Sequence, residues 1–185
     1  MNKLNLGIAS VAVVSASLVG PTRAEAPAPK PPSQVDALFQ SAEGRWTCDT
    51  TFAAGALGPR TPETKVKATI DIKKDLAGFW YSGEWQMEKT AAAPAALVKF
   101  AVGYDPLARA AVLVRYDSGG TAALETAPGA TPDKQVFAGD VHLGGRTKAK
   151  IRETVIRKSP ADLEHLFEVD TGRGFQVTST DVCKK

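Results

Sequence analysis

The sequence predicts an all-β protein: a closed, antiparallel up-and-down barrel of about ten strands behind one short N-terminal helix. Three observations lead there. From residue 45 onward apolar residues recur at every second position, the period of a strand with one buried face. Clusters of turn-forming residues interrupt that pattern at short intervals. The only two cysteines, Cys48 and Cys183, stand at opposite ends of the patterned region.

Residues 1–24 read as a leader and not as part of the fold. Lys3 supplies a positive start, Leu4 to Gly20 an apolar run, and Thr22 and Ala24 the small residues of a cleavage site before Glu25. The apolar run holds 17 residues and includes Asn5 and several Ser and Gly. A spanning helix needs roughly 20 mostly apolar residues, so a cleaved signal peptide is expected and membrane insertion is not. Export follows, to the periplasm or the outside of the cell. Residues 25–32, EAPAPKPP, are Pro/Ala-rich and read as an extended linker, leaving 33–185 as one domain. The 23 basic residues, less Lys3 and Arg23, nearly balance 20 acidic ones. That balance argues against nucleic acid as a partner. It says nothing about oligomeric state.

Ser33 is expected to cap a short helix over QVDALFQSA, with Val35, Leu38 and Phe39 as its apolar stripe and Gly44 ending it. Strands follow near 45–53, 64–74, 78–89, 96–104, 109–117, 120–126, 134–140, 146–157, 162–170 and 174–183. TKVKATIDIKK is the cleanest, with Val66, Ala68, Ile70 and Ile72 facing away from Lys65, Lys67, Thr69, Asp71 and Lys73. In the next, Phe79, Tyr81, Trp85 and Met87 share a face; Val98, Phe100, Val102 and Tyr104 do so in the one after. KDLAG, YDPLAR, DSGG, APGATPD, LGG, KSPAD and DTGRG supply the turns. Several are too short for a parallel crossover, so neighbouring strands run antiparallel. So many strands without helical cover leave exposed edges unless the sheet closes.

Closure also explains the cysteines. In an even-stranded up-and-down barrel the first and last strands meet antiparallel, which brings Cys48 beside Cys183 on one face. In an exported chain an even cysteine count favours a disulfide, and no C-x-x-C spacing suggests a metal. Parity would put Trp46, Phe175 and Val177 on that same buried side.

Gly44-Arg45-Trp46 after a short helix resembles the opening of lipocalin-like (calycin) barrels. The order of Trp46-x-Cys48, Asp75-Leu76-x-Gly78-Phe79-Trp80, Gly103-Tyr104-Asp105, Asp117-x-Gly119-Gly120, Arg152-Glu153-Thr154 and Cys183-Lys184-Lys185 is similar to a bacterial family of exported, lipocalin-like domains of unknown function. The resemblance spans residues 33–185 and implies a barrel with a pocket. It implies no activity.

Candidate site residues are polar ones on apolar faces. His165 shares a face with Leu163, Phe167 and Val169; Glu153 with Ala149, Ile151 and Val155; Arg115 with Ala111 and Leu113. Pairing through the KSPAD turn puts Glu153 one diagonal step from His165. Buried charges need partners, water or a ligand. A structural ion pair is one reading. The other is a pocket for a small apolar or amphipathic molecule, walled by Trp46, Phe79, Tyr81, Trp85, Phe100 and Phe167 and oriented by Arg115, Glu153 and His165. No cofactor is required. Alternatives are haem held by His165, an isomerase or cyclase using Glu153 or His165 as base, or an envelope interaction module using an outward patch of Trp80 and Leu166. Nucleophile elbows and phosphate loops are absent.

Overall fold

The computed structural model describes residues 29–143 and 147–185. The leader, the start of the linker and residues 144–146 of the LGG turn lie outside the described residues. Helix α1 (Ser33–Phe39) and a 3-10 turn (Gln40–Ala42) precede ten strands. These are β1 (Gly44–Phe52), β2 (Thr64–Asp75), β3 (Trp80–Met87), β4 (Ala96–Asp105) and β5 (Ala110–Asp117), followed by β6 (Ala122–Pro128), β7 (Lys134–Leu143), β8 (Thr147–Ser159), β9 (Asp162–Asp170) and β10 (Gln176–Lys184). Each strand pairs antiparallel with its sequence neighbours, and β10 returns to β1 to close the barrel.

The closing seam has the register that the cysteines demand. Cys48 stands opposite Cys183, and their sulfurs are bonded at 2.03 Å. Around them Trp46, Val66, Ala68, Ile70, Met87 and Leu163 form one buried cluster. Thus the disulfide lies inside the apolar core, on the inward faces of both strands.

Helix α1 plugs one pole. Val35, Leu38 and Phe39 bury against Tyr81, Leu113, Ala127 and Phe137. Several polar groups that this brings inside find partners. Gln135 Nε2 donates to the Leu38 carbonyl at 3.0 Å, and Trp46 Nε1 to the Ala42 carbonyl at 2.8 Å. Tyr81 donates its hydroxyl to Asp36 at 2.8 Å, and Lys74 Nζ pairs with the same carboxylate at 2.7 Å. A helix this short cannot hold itself in water, so its apolar face and these contacts hold it. Ser33 is not its cap: Pro32 takes that position, and Ser33 is the first helical residue with no capping hydrogen bond. Proline's fixed φ suits a helix start without a side-chain acceptor.

Two parity expectations are corrected. The register of β10 shifts between Val177 and Ser179, so Val177 pairs with outward Glu168 and is 43% exposed. Phe175 lies beyond the same shift, and its ring carries the Arg152 guanidinium at 4.3 Å. One extra residue in a strand turns every side chain beyond it to the other face. Trp80 and Leu166 do not form a joint patch either: they sit on β3 and β9, four strands apart around the wall. Trp80 instead lies over Gly103, where a Cβ would come within 2.8 Å of its ring.

A bridge spanning 135 residues removes much chain entropy from the unfolded state. Cys48→Ser, Cys183→Ser and the double variant should therefore each lose the same stability, up to about 5 kcal/mol. Chemical denaturation of non-reduced protein checks this, and additive losses would mean that the two residues act separately.

Candidate functional site

A belt of polar side chains crosses the barrel interior. It starts at the seam, where Thr50 on β1 stands opposite Asp181 on β10, and Asp181 opposite His165 on β9. Thr50 donates its hydroxyl to Asp181 Oδ1, which Trp85 Nε1 also approaches at 3.3 Å. Asp181 Oδ2 lies 2.9 Å from His165 Nδ1, and Glu153 Oε2 lies 3.1 Å from His165 Nε2. Glu153 sits on β8 opposite Phe167, one diagonal step from His165.

From Glu153 the belt continues to β5 and β6. Arg115 Nε donates to Glu125 Oε1 at 3.2 Å, and Glu153 Oε1 stands 2.9 Å from the same nitrogen. That nitrogen has a single hydrogen, directed at Glu125, so Glu153 meets it through charge alone. Between Glu125 and Glu153 lies β7, where Gly139 stands opposite Glu125. A Cβ at Gly139 would come within 2.8 Å of Glu125 Cγ. The missing side chain lets the Glu125 carboxyl reach across β7 toward Glu153. The Phe167 ring receives the Arg115 guanidinium at 4.5 Å.

Glu125 is fully buried. Burial, reinforced by the Glu153 charge, pushes its carboxyl up to about 8 against the opposing pull of Arg115. It is therefore protonated at neutral pH. Two carboxyl oxygens, Glu125 Oε2 and Glu153 Oε1, have no other hydrogen-bond partner. A single proton on Glu125, within hydrogen-bonding reach of Glu153, serves both carboxyls. Burial alone would lower His165, but hydrogen bonds to Asp181 and Glu153 and their charges outweigh it and hold the imidazolium up to about 10. Burial opposes the ionised forms of Glu153 and Asp181 too, yet His165 keeps both below the usual carboxylate range, with help from Arg115 at Glu153. At neutral pH the belt thus holds two cations, Arg115 and His165, and two anions, Glu153 and Asp181. It is electrically balanced.

Arg115, Glu153 and His165 are thus brought together as the alternation suggests, with Trp85 and Phe167 beside them. Trp46 and Tyr81 are elsewhere: both are fully buried at the helix-plugged pole, where Lys185 Nζ lies 4.8 Å from the Trp46 ring. Phe79 precedes β3, half-buried beside the 3-10 turn Leu76–Gly78. Phe100 lies opposite Gly83, where a side chain would collide with its ring.

Sequence reasoning missed Thr50, Glu125 and Asp181. Asp181 carried a signal, since it stands two residues before Cys183 and shares its face. Glu125 carried almost none: in AALETAP either face passes as apolar, and Leu124 is the stronger hydrophobe. The structure inverts that choice, with Leu124 62% exposed and Glu125 at 0%.

The belt does not fill its surroundings. The His165 side chain keeps 21% of its accessible area and Arg115 13%, although both point inward. Trp85, Phe100, Val155 and Phe167, which line the same interior, are also only half-buried. Accessible area on the inside of a closed barrel requires a space at least as wide as a water molecule. A surface depression of ≈ 590 Å³ lies away from this chemistry over β1–β3 and includes Arg45, Asp49, Lys65, Lys67 and Glu88. Lys67 and Asp49 pair with each other there.

His165 does not suit a haem iron, because both ring nitrogens are engaged by carboxylates and neither is free to ligate. An imidazolium held so firmly is also a poor general base at neutral pH.

No family model matches the chain, and no curated protein matches it. Solved structures with a similar shape include a redesigned β-barrel, 10% identical, with a TM-score of 0.44 and coverage of 80% of this chain and 95% of that one. A likeness so distant carries no argument about function.

The belt makes stability depend on pH. Glu125 rises from an ordinary 4.5 to about 8 on folding, so the folded state holds the extra proton between those values and stability falls as pH climbs through them. His165 rises from 6.5 to about 10, which stabilises fully below 6.5 and is lost as pH rises through the folded value. Glu153 and Asp181, both lowered, stabilise above their ordinary range and lose that effect in acid. Thermal unfolding temperature should therefore peak near pH 5–6.5 and decline toward pH 10. Glu125→Gln, which keeps a donor without a titrating proton, should flatten the decline below pH 8; an unchanged profile would refute the assignment to Glu125.

Proposed function

We propose that this chain is an exported barrel that holds a small, mostly apolar molecule in its interior. The observation that carries the reading is the accessible area left on inward side chains of the closed wall, above all His165 and Arg115. A filled core packs at crystal-like density and leaves none. Trp85, Phe100 and Phe167 offer aromatic surface there, while the belt supplies a few convergent polar groups, the usual composition of a ligand site. The sequence resemblance to exported lipocalin-like domains agrees with such a role. The disulfide favours an oxidising compartment.

Nile red tests the interior directly. It should bind the folded protein with a gain in its own fluorescence and quench tryptophan emission, less so in Trp85→Phe. Dye that stays free at concentrations well above the micromolar range would overturn the reading.

Export has its own check. N-terminal sequencing of protein from its native cells should begin at Glu25. An intact Met1 recovered in the membrane fraction would reverse the localisation.

A further inference from the structure

Arg115 has donors to spare. Its Nε serves Glu125 and Glu153, but among the described residues nothing accepts a hydrogen bond from either Nη. Neither Nη is among the fully buried atoms without a partner, and the inward side chain keeps 13% of its accessible area. The Phe167 ring against the guanidinium, 4.5 Å from its carbon, steadies its plane and takes no hydrogen bond from the Nη edge.

Resting on the interior-binding reading above, we infer that the two Nη nitrogens of Arg115 take the oxygen of a neutral, hydrogen-bond-accepting head group, such as an alcohol, ketone or amide, on a mostly apolar ligand, and that the barrel disfavours the same tail ending in a carboxylate. A fork of two N–H donors wants an acceptor. The choice between a neutral and an anionic acceptor falls to the surroundings. Arg115 is faced by Glu125 from β6, Glu153 from β8, and beyond it His165 on β9 and Asp181 on β10. Asp117, two residues along β5, adds another carboxylate, whose Oδ1 accepts from the Gly119 and Thr121 amides. From β4 the residue opposite Arg115 is Phe100, and from β7 the belt receives no charge, since Gly139 stands there.

The cations are therefore already matched by carboxylates. A further anion would be desolvated without a countercharge, whereas a neutral oxygen satisfies the guanidinium and leaves the balance intact. Above neutrality, loss of the Glu125 proton would make an anionic head still less welcome.

Displacement of Nile red by decanol and by decanoate, which share one chain length, tests this. Near neutral pH, decanol should displace the dye at about tenfold lower concentration than decanoate, and the gap should widen as pH rises. Arg115→Lys keeps the cation between Glu125 and Glu153 but loses the fork, so decanol should weaken about tenfold while the protein stays folded. Equal or tighter displacement by decanoate would overturn the inference. So would indifference of decanol to Arg115→Lys, or dye that binds and yields to neither compound. If Nile red itself never binds, the interior-binding reading fails first and takes this inference with it.

Discussion

Pairing of β1 with β10 is the constraint on which the remaining structure depends. A ten-stranded sheet left open would expose two rows of unpaired amides and carbonyls and would have no inside. The seam does more than remove an edge. The register that sets Cys48 opposite Cys183 also sets Thr50 opposite Asp181, two residues along each strand. Asp181 in turn faces His165 on the next strand. Covalent closure and the polar belt therefore share one alignment. A slip of a single residue would send both to the outer surface.

The second demand is electrical. A buried carboxylate or guanidinium without a partner costs several kcal/mol, a large part of what holds a domain together. This interior meets the demand by arithmetic of sign, since one of three carboxyls stays neutral so that the other two match Arg115 and His165. Two glycines make the geometry possible. Gly139 clears the path between Glu125 and Glu153, and Gly83 clears a place for Phe100. Both sit mid-strand, where glycine has no conformational merit and its value is the absent side chain.

Strand pattern was highly legible in the sequence, because a barrel wall with water on one side imposes a period of two and short antiparallel connections impose the order. Cys48 and Cys183 then fixed where the wall meets itself. Glu153 and His165 could be placed together because their turn sets their offset. Legibility ended where the parity signal itself ended. AALETAP has small residues on both faces, so nothing local says that Glu125 goes in and Leu124 out. The shift after Val177 leaves no mark in composition, and it moved Val177 and Phe175 to the outside. Trp46 reads equally well as pocket or plug, and only the three-dimensional position of α1 separates the two. A Cβ-less strand position is likewise silent until its neighbours across the sheet are known.

Both described ends of the chain leave from the same pole. Helix α1 docks there, and at the other terminus Lys185 Nζ donates to the Ser41 carbonyl at 3.1 Å while its amide donates to Ala161. The opposite pole is built from loops 53–63 and 88–95 and from the turns at 118–121 and 171–175. The molecule therefore has a natural handle. Anything joined next to either described end, whether a neighbouring domain, an affinity tag or a surface anchor, meets the barrel at its plugged base, on the side away from the far rim.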